Sequence, residues 1–310
     1  MITTVTLNAA IDKTYYLPRF PIGQVTRVSN MSVDAGGKGL NVARVIKQLG
    51  FPVMAAGFVG GYNGQYIENT LKQSGIPHDF VHVDGESRIC LNIIDESAAT
   101  SSELLEPGPS ITEEQIGELK RKLAGLAARS RVVCFSGSLP AGVPLDIYAD
   151  LIRIAKAEGA FVFLDTSGEA LRCGLEAGPC LIKPNEEEAI ALLGKAGGGE
   201  EDYFRALEDF CGNRISRTVV SLGGSGALAL WEGSRYRIRI PAVPVVNTVG
   251  SGDAFLAGMA AALADGRGPE DCLRLAAAAG TANALQRRTG WVEPADVDNL
   301  LGLVTVESAG

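Results

Sequence analysis

Short solid apolar runs alternate along this chain with stretches whose apolar residues recur every three or four positions. That alternation predicts a layered α/β fold. Val132-Val133-Cys134-Phe135 and Phe161-Val162-Phe163-Leu164 read as buried strands, and between them Pro144 to Glu158 carries Leu151, Ile154 and Ala155 at helical spacing before Gly159. This is a βαβ unit. It continues through Leu181-Ile182, a helix over 186–193, a second near 202–210 and a strand over 218–222, which predicts a parallel sheet covered by helices. Upstream, Thr112 with Gln115 three residues later has the pattern of a capping box, opening a helix whose Ile116, Leu119, Leu123 and Leu126 share one face. Two alanine-rich helices, 254–264 and 271–285, complete the C-terminal half.

Two stretches break the pattern. Residues 12–33, with Tyr15, Tyr16, Val25 and Val28 between Pro and Gly turns, and residues 88–106, with alternating Ile89, Leu91 and Ile93, read as strands outside the main layers. Together they are expected to form a small β-lid over one edge of a single domain spanning 1–310. Gly197-Gly198-Gly199 reads as a loop too short to separate domains, and no internal repeat is present.

Composition narrows the partners. A net charge of -8 argues against a duplex nucleic acid, itself a polyanion. No apolar run reaches the roughly 18 to 20 residues of a membrane span, and Met1 to Thr6 lacks the basic head and apolar body of a signal peptide, so a cytoplasmic protein is expected. The six cysteines form no Cys-x-x-Cys pair and fit reduced thiols better than a disulfide frame or zinc site. His78 and His82 have no acidic or cysteine partner at ligand spacing and read as surface residues, while Trp231 and Trp291 read as packing residues. The expected partner is a small molecule.

The candidate chemistry lies in glycine loops. Asn247-Thr248-Val249-Gly250-Ser251-Gly252-Asp253 runs into a helix, where inward-turned N–H groups and the helix dipole stabilise an anion. Asp253 would repel that anion unless it accepts a proton from an attacking hydroxyl; as an N-cap it would need no such task. Asp34-Ala35-Gly36-Gly37-Lys38-Gly39-Leu40-Asn41 precedes a helix over 42–49 but is not a Walker A loop, because Gly39 follows Lys38 where Ser or Thr is required. Ser221-Leu222-Gly223-Gly224-Ser225-Gly226 contains the start of a G-x-G-x-x-A match, yet Ala227 to Trp231 reads as a strand, so the helix of a dinucleotide fingerprint is missing. In Lys183-Pro184-Asn185-Glu186-Glu187-Glu188, Asn185 and Glu188 share a face and could orient water around magnesium; acidic residues in a first helical turn also favour the helix dipole without a metal.

In this order the loops resemble the PfkB, or ribokinase-like, family of sugar kinases. Gly36-Gly37-Lys38-Gly39-x-Asn41-x-Ala43 looks like its N-terminal signature and Asn247 to Asp253 like its C-terminal one, with Lys-Pro-Asn-x-x-Glu and Ser-x-Gly-Gly-x-Gly between them. The resemblance spans nearly the whole chain and implies a ribokinase-like three-layer αβα sandwich with a mostly parallel central sheet. Within the family the opening Thr4-Val5-Thr6-Leu7-Asn8-x-Ala10-Ile11-Asp12-Lys13 and the Asn247-Thr248 pair resemble the branch acting on phosphorylated ketohexoses.

The resemblance implies ATP and Mg2+ as cofactors and roles for single residues. Asp253 would be the base, with the N–H groups of Gly250, Ser251 and Gly252 as the anion hole. Asp12, Gly37, Lys38 and Asn41 would bind sugar, and Arg88, Asn92 and Ser138 would help hold the sugar or its phosphate. Lys183, Ser221, Gly223, Gly224, Gly226 and Asn283 would contact ATP, while Asn185 and Glu188 would support magnesium through water. Fructose 1-phosphate is the first expected substrate, on Ile11 to Tyr16, and tagatose 6-phosphate the alternative. A non-catalytic sensor on the same fold is the alternative of another class, disfavoured by retention of Asp253. Ala9 departs from the proline frequent in the branch, and Glu103 stands where some relatives that use fructose 6-phosphate carry arginine. By the same analogy, lids would pair in a homodimer.

Overall fold

The computed structural model describes residues 1–98, 100–193, 199–211 and 215–309. In chain order the strands are β1 Ile2–Thr6, β2 Ala10–Leu17, β3 Asn30–Gly36, β4 Val53–Gly60, β5 His78–Val83, β6 Arg88–Asp95, β7 Thr100–Leu105, β8 Val132–Ser136, β9 Phe161–Asp165, β10 Leu181–Ile182, β11 Arg217–Ser221, β12 Ala227–Trp231, β13 Ser234–Arg239 and β14 Thr305–Ala309. The helices are α1 Lys38–Gln48, α2 Gly61–Gln73, α3 Glu113–Ala127, α4 Ile147–Ala157, α5 Gly168–Leu175, α6 Glu186–Leu193, α7 Glu200–Cys211, α8 Ser251–Asp265, α9 Pro269–Ala284 and α10 Pro294–Leu301.

Among the described residues a 10-stranded sheet runs β14-β13-β12-β11-β10-β9-β8-β1-β4-β5. It is parallel from β11 to β5 and antiparallel at the β12, β13 and β14 edge. Alternation along the buried strands divides the core in two. Val132 and Cys134 of β8 pack with α1, α8, α9 and α10, whereas Val133 and Phe135 pack with α3, α4 and α5 on the opposite face. Both faces are therefore covered, which is why the central strands are solidly apolar. The capping box is present, with Thr112 Oγ1 accepting from Gln115 N and Gln115 Oε1 accepting from Thr112 N.

The two odd stretches form a 4-stranded sheet, β3-β2-β6-β7. The expected boundaries change within it. Val25 and Val28 lie in the connection from β2 to β3, exposed to solvent. Helix α1 opens at Lys38, four residues before the expected start at 42, because the Gly37 carbonyl accepts the first turn's N–H groups and Leu40 is already buried in the core. Gly197 and Gly198 of the expected glycine loop lie outside the described residues. His82 is exposed as expected, but both histidines meet an acid brought by α2, with Nε2 of His82 3.1 Å and Nε2 of His78 3.9 Å from Glu68. No helix among the described residues is long and apolar enough to cross a membrane.

Candidate active site

The C-terminal ends of β1, β8, β9 and β10 point one way, and the loops leaving them line a cleft of about 820 Å³ roofed by β2, β6 and β7. Ligands gather at that end of open α/β sheets. The cleft brings together Asp12, Gly37, Lys38, Asn41, Arg88, Asn92 and Ser138 with Lys183, Asn185, Glu188, Ser221 and Gly223, and with Gly250, Gly252 and Asp253.

The loop before α8 is built by side chains behind it. Asn247 Oδ1 accepts from Val249 N (3.0 Å), and Asn283 Nδ2 donates to the Val249 carbonyl (3.0 Å) and Ser251 Oγ (3.1 Å). Gly250 has φ 84°, and a Cβ there would stand 2.5 Å from Gly290 N. Only glycine fits that left-handed, closely backed position. The Ser251 N–H is donated to the Thr248 carbonyl (3.1 Å), so Ser251 is not one of the open donors expected of it. The N–H groups of Gly250, Gly252 and Asp253 have no acceptor within the chain among the described residues. These are the orphan donors of a helix start, aimed at the cleft.

Asp253 is not the N-cap of α8; that position is Gly250. Its buried carboxylate accepts from Asn41 Nδ2 at Oδ2 (2.9 Å). Burial pushes its pKa up to about 6, against the opposing pull of Lys38. Lys38 Nζ sits 3.4 Å from Asp165 Oδ1, which raises the pKa of the lysine, and Lys183 Nζ is 3.9 Å from Asp165 Oδ2. Asp165, at the end of β9, joins the two lysines and was not singled out in the sequence; the signal available was a carboxylate closing a solid apolar strand. Asp12 lies across the cleft beneath the first glycine loop, where burial likewise raises it to about 6 while Arg44 lowers it.

At the opposite end Arg88 Nε donates to the Asn8 carbonyl (3.2 Å) and Nη1 to the Glu106 carbonyl (3.3 Å), which leaves its charge facing the cleft. Asn92 takes Ser101 Oγ at Oδ1 (2.5 Å) and keeps a buried, unpartnered Nδ2. Asn8, part of the opening motif but given no site role in the sequence, donates to Ser138 Oγ (3.4 Å) and keeps a buried, unpartnered Oδ1. Both residues line the cleft, each with one buried polar atom left without a partner.

Three residues expected at the nucleotide do not line this cleft. Asn283 is fully buried, and its Oδ1 accepts from Trp291 N (3.1 Å) while its Nδ2 holds the loop, so both ends are occupied behind the site. Gly226 has φ 93° and is packed against the Ile238 carbonyl, so it shapes the turn between β11 and β12; Gly224 is exposed outside the cleft. Asn185 and Glu188 cap α6 reciprocally: Asn185 N donates to Glu188 Oε2 (3.0 Å) and Glu188 N to Asn185 Oδ1 (2.7 Å). That is the metal-free use of the pair, and it occupies one oxygen of each side chain.

Residues 5–295 match the profile of the pfkB family carbohydrate kinases. The chain belongs to the PfkB family. A tagatose-6-phosphate kinase from Staphylococcus epidermidis is 40% identical over 309 residues, 99% of each chain. Phosphofructokinase-2 from Escherichia coli, solved in complex with substrates and products, superposes with a TM-score of 0.92 at 29% identity over 97% of this chain and 98% of that one. A possible 1-phosphofructokinase from Thermotoga maritima superposes at 0.90 with 28% identity over 100% of both. The PfkB chain described here is thus a ribokinase-like α/β phosphotransferase acting on a sugar hydroxyl.

Proposed function

We propose that this kinase transfers the terminal phosphoryl group of ATP to the free primary hydroxyl of a ketohexose monophosphate, giving a bisphosphate. The observation that carries the reading is Asp253: a buried carboxylate in the first turn of α8, flanked by open N–H groups and facing Lys38 and Lys183. A binding module has no use for a repelling carboxylate at an anion site, whereas phosphoryl transfer uses a proton acceptor beside charge-neutralising donors.

In this reading the N–H groups of Gly250 and Gly252 and the ammonium of Lys183 take up charge on the moving group, and Asp253 receives the hydroxyl proton. Lys38 and Arg88 hold the sugar phosphate, while the second sheet closes over it and keeps water from competing as acceptor. Magnesium fits as a hydrated ion. Asp165 Oδ2 is buried without a hydrogen-bond partner, and one oxygen of Glu188 is left by its cap, whereas no cluster of three His, Cys, Asp or Glu among the described residues could enclose a bare ion. When bound with ATP it would neutralise phosphate charge. Exposed Met31 and Leu104 on the second sheet, with exposed Ile22 and Val25 in the connection between β2 and β3, support pairing of two lids in a homodimer.

Fructose 1-phosphate and tagatose 6-phosphate share a phosphate at one end and a free primary hydroxyl at the other. The Ile11 to Tyr16 segment favours the first; the 40% identical relative favours the second. Glu103, opposite Asn92 and lining the cleft, stands where some relatives that use fructose 6-phosphate carry arginine, so it weighs against that substrate and is compatible with either of the other two. A coupled assay of ADP release should give kcat/KM for one of the first two at least about ten times that for fructose 6-phosphate. Fructose 6-phosphate as the best of the three would overturn the assignment.

Arg88→Ala should raise KM for the sugar phosphate by tens of fold and that for ATP by under about three-fold, since it deletes a charge-assisted contact worth roughly 1.5–3 kcal/mol at one end. Equal rises in both constants would reduce Arg88 to a support of the Asn8 and Glu106 carbonyls. The pH profile follows from the raised carboxylates. Asp253 and Asp12 both titrate at about 6, so kcat/KM should be flat above that and fall as pH drops through it, the base being protonated on the acid side. A limb at about 4, the range of an ordinary carboxylate, would show that no buried, raised carboxylate sets the pH dependence.

A further inference from the structure

Beneath the two glycine loops lies a cation that the proposed chemistry does not use. Arg44, on α1, is buried, with Nη1 donating to Asn41 Oδ1 (3.1 Å) and to the carbonyls of Thr289 (2.8 Å) and Gly290 (3.3 Å), and Nη2 donating to the Ala35 carbonyl. Ala35 lies at the start of the first loop and Gly290 backs Gly250 of the second, so one guanidinium spans both.

Its consequence falls on Asn41. Arginine has donors only, so the amide end facing it must be the oxygen, and Asn41 Nδ2 is thereby turned to Asp253, donating to Oδ2 (2.9 Å). The reversed amide would set N–H against N–H on one side and carbonyl against carboxylate on the other. With Oδ2 occupied, Asp253 Oδ1 is the oxygen left for the substrate.

We infer that Arg44 is a positioning residue for phosphoryl transfer: by setting the Asn41 amide it decides which oxygen of Asp253 receives the hydroxyl proton. The inference rests on the reading of Asp253 as base. In the step itself the substrate O–H bond breaks, its proton goes to Oδ1, and its electron pair makes the new bond to phosphorus as ADP leaves with the old one. Arg44 touches none of these atoms.

A structural role for Arg44 would be to satisfy the three carbonyls, and a double-mutant cycle separates the two. Arg44→Lys keeps the charge but lacks the planar fork that reaches four acceptors. It should lower kcat, per folded enzyme, by about ten-fold or more with both KM values within about three-fold, since aim is lost and binding is not. In an Asn41→Ala background the same change should lower kcat by less than about two-fold, because the intermediary is already gone. A full effect in both backgrounds, or a loss of folded protein with kcat unchanged, overturns the inference.

Asn41→Asp tests the same relay without touching Arg44, should Arg44→Lys not fold. It keeps an oxygen toward Arg44 and replaces the donor facing Asp253 with a second carboxylate oxygen. The charged groups that face Asp253 are Lys38 from α1, Asp165 from β9, Lys183 after β10 and, behind Asn41, Arg44, which itself faces Asp12, Asp34 and Arg288. The acid limb of kcat should move to higher pH as kcat falls; a wild-type kcat and limb would overturn the inference. Should Asp253→Asn itself keep its turnover, the base reading fails independently of either result.

Discussion

Asp253→Asn should lower kcat by ~10²–10⁴-fold, the range for a positioned base, while leaving ATP binding and the fold in place. The replacement is nearly isosteric, and its Oδ1 can still accept from Asn41 Nδ2, the one hydrogen bond made by the Asp253 side chain among the described residues. Stability supplies the second readout. A carboxylate whose folded pKa stands near 6 against an ordinary 3.8 binds protons more readily folded than unfolded, so its cost is absent in strong acid, grows as pH rises from 3.8 to about 6, and is complete at neutral pH. Removing the charge should therefore leave Tm at pH 7 equal to or above that of the parent. Loss of turnover with an unchanged or higher Tm is the signature of a group kept for chemistry. Retention of more than about a tenth of the turnover would leave the anion site without its proton acceptor.

Gly252→Val should lower kcat by ~10²–10³-fold, the loss that follows removal of one preorganised oxyanion donor. The reason is not backbone freedom. Gly252 does not adopt the left-handed conformation that Gly250 adopts at φ 84°, so the fold can take a side chain there. A Cβ at position 252 would lie 3.2 Å from Lys183 Nζ, and valine's branches would extend into the space between that ammonium and the loop's N–H groups. Lys183 would be displaced and the phosphoryl group kept off its donors. Turnover, with the folded state checked by thermal melting, decides the matter; near-normal kcat would mean that the phosphoryl group lies elsewhere.

Much of this molecule was legible in order along the chain. Solid apolar runs flanked by helical periodicity announced strands covered on both faces, and the structure supplies the reason, since Val132 and Val133 enter opposite cores. The capping box at Thr112 is a local event, settled within four residues, and the glycine turn into α1 makes its first hydrogen bonds within four residues of Gly37. Local physics of that kind is carried by residue type and spacing, so the loops that meet in the cleft could be found before their meeting was known.

What the chain order concealed were relations across it. Asn41 and Asp253 are 212 positions apart and Arg44 and Thr289 are 245, so no spacing rule links them. The same applies to Asn283, whose residue type suits a nucleotide contact but whose two amide ends are turned backward to hold Val249, Ser251 and Trp291. Asp253 could be read as base or as N-cap from its position alone; the structure removes the second reading, because Gly250 takes the cap and Asp253 is buried with Asn41 donating to it. The sequence by itself determined the covered central strands, the helical faces and the glycine loops, because these follow from side-chain periodicity and backbone freedom. Only the tertiary structure decided which polar groups are consumed in support and which are left open to a substrate, because a hydrogen bond is decided by where its partner lies in space.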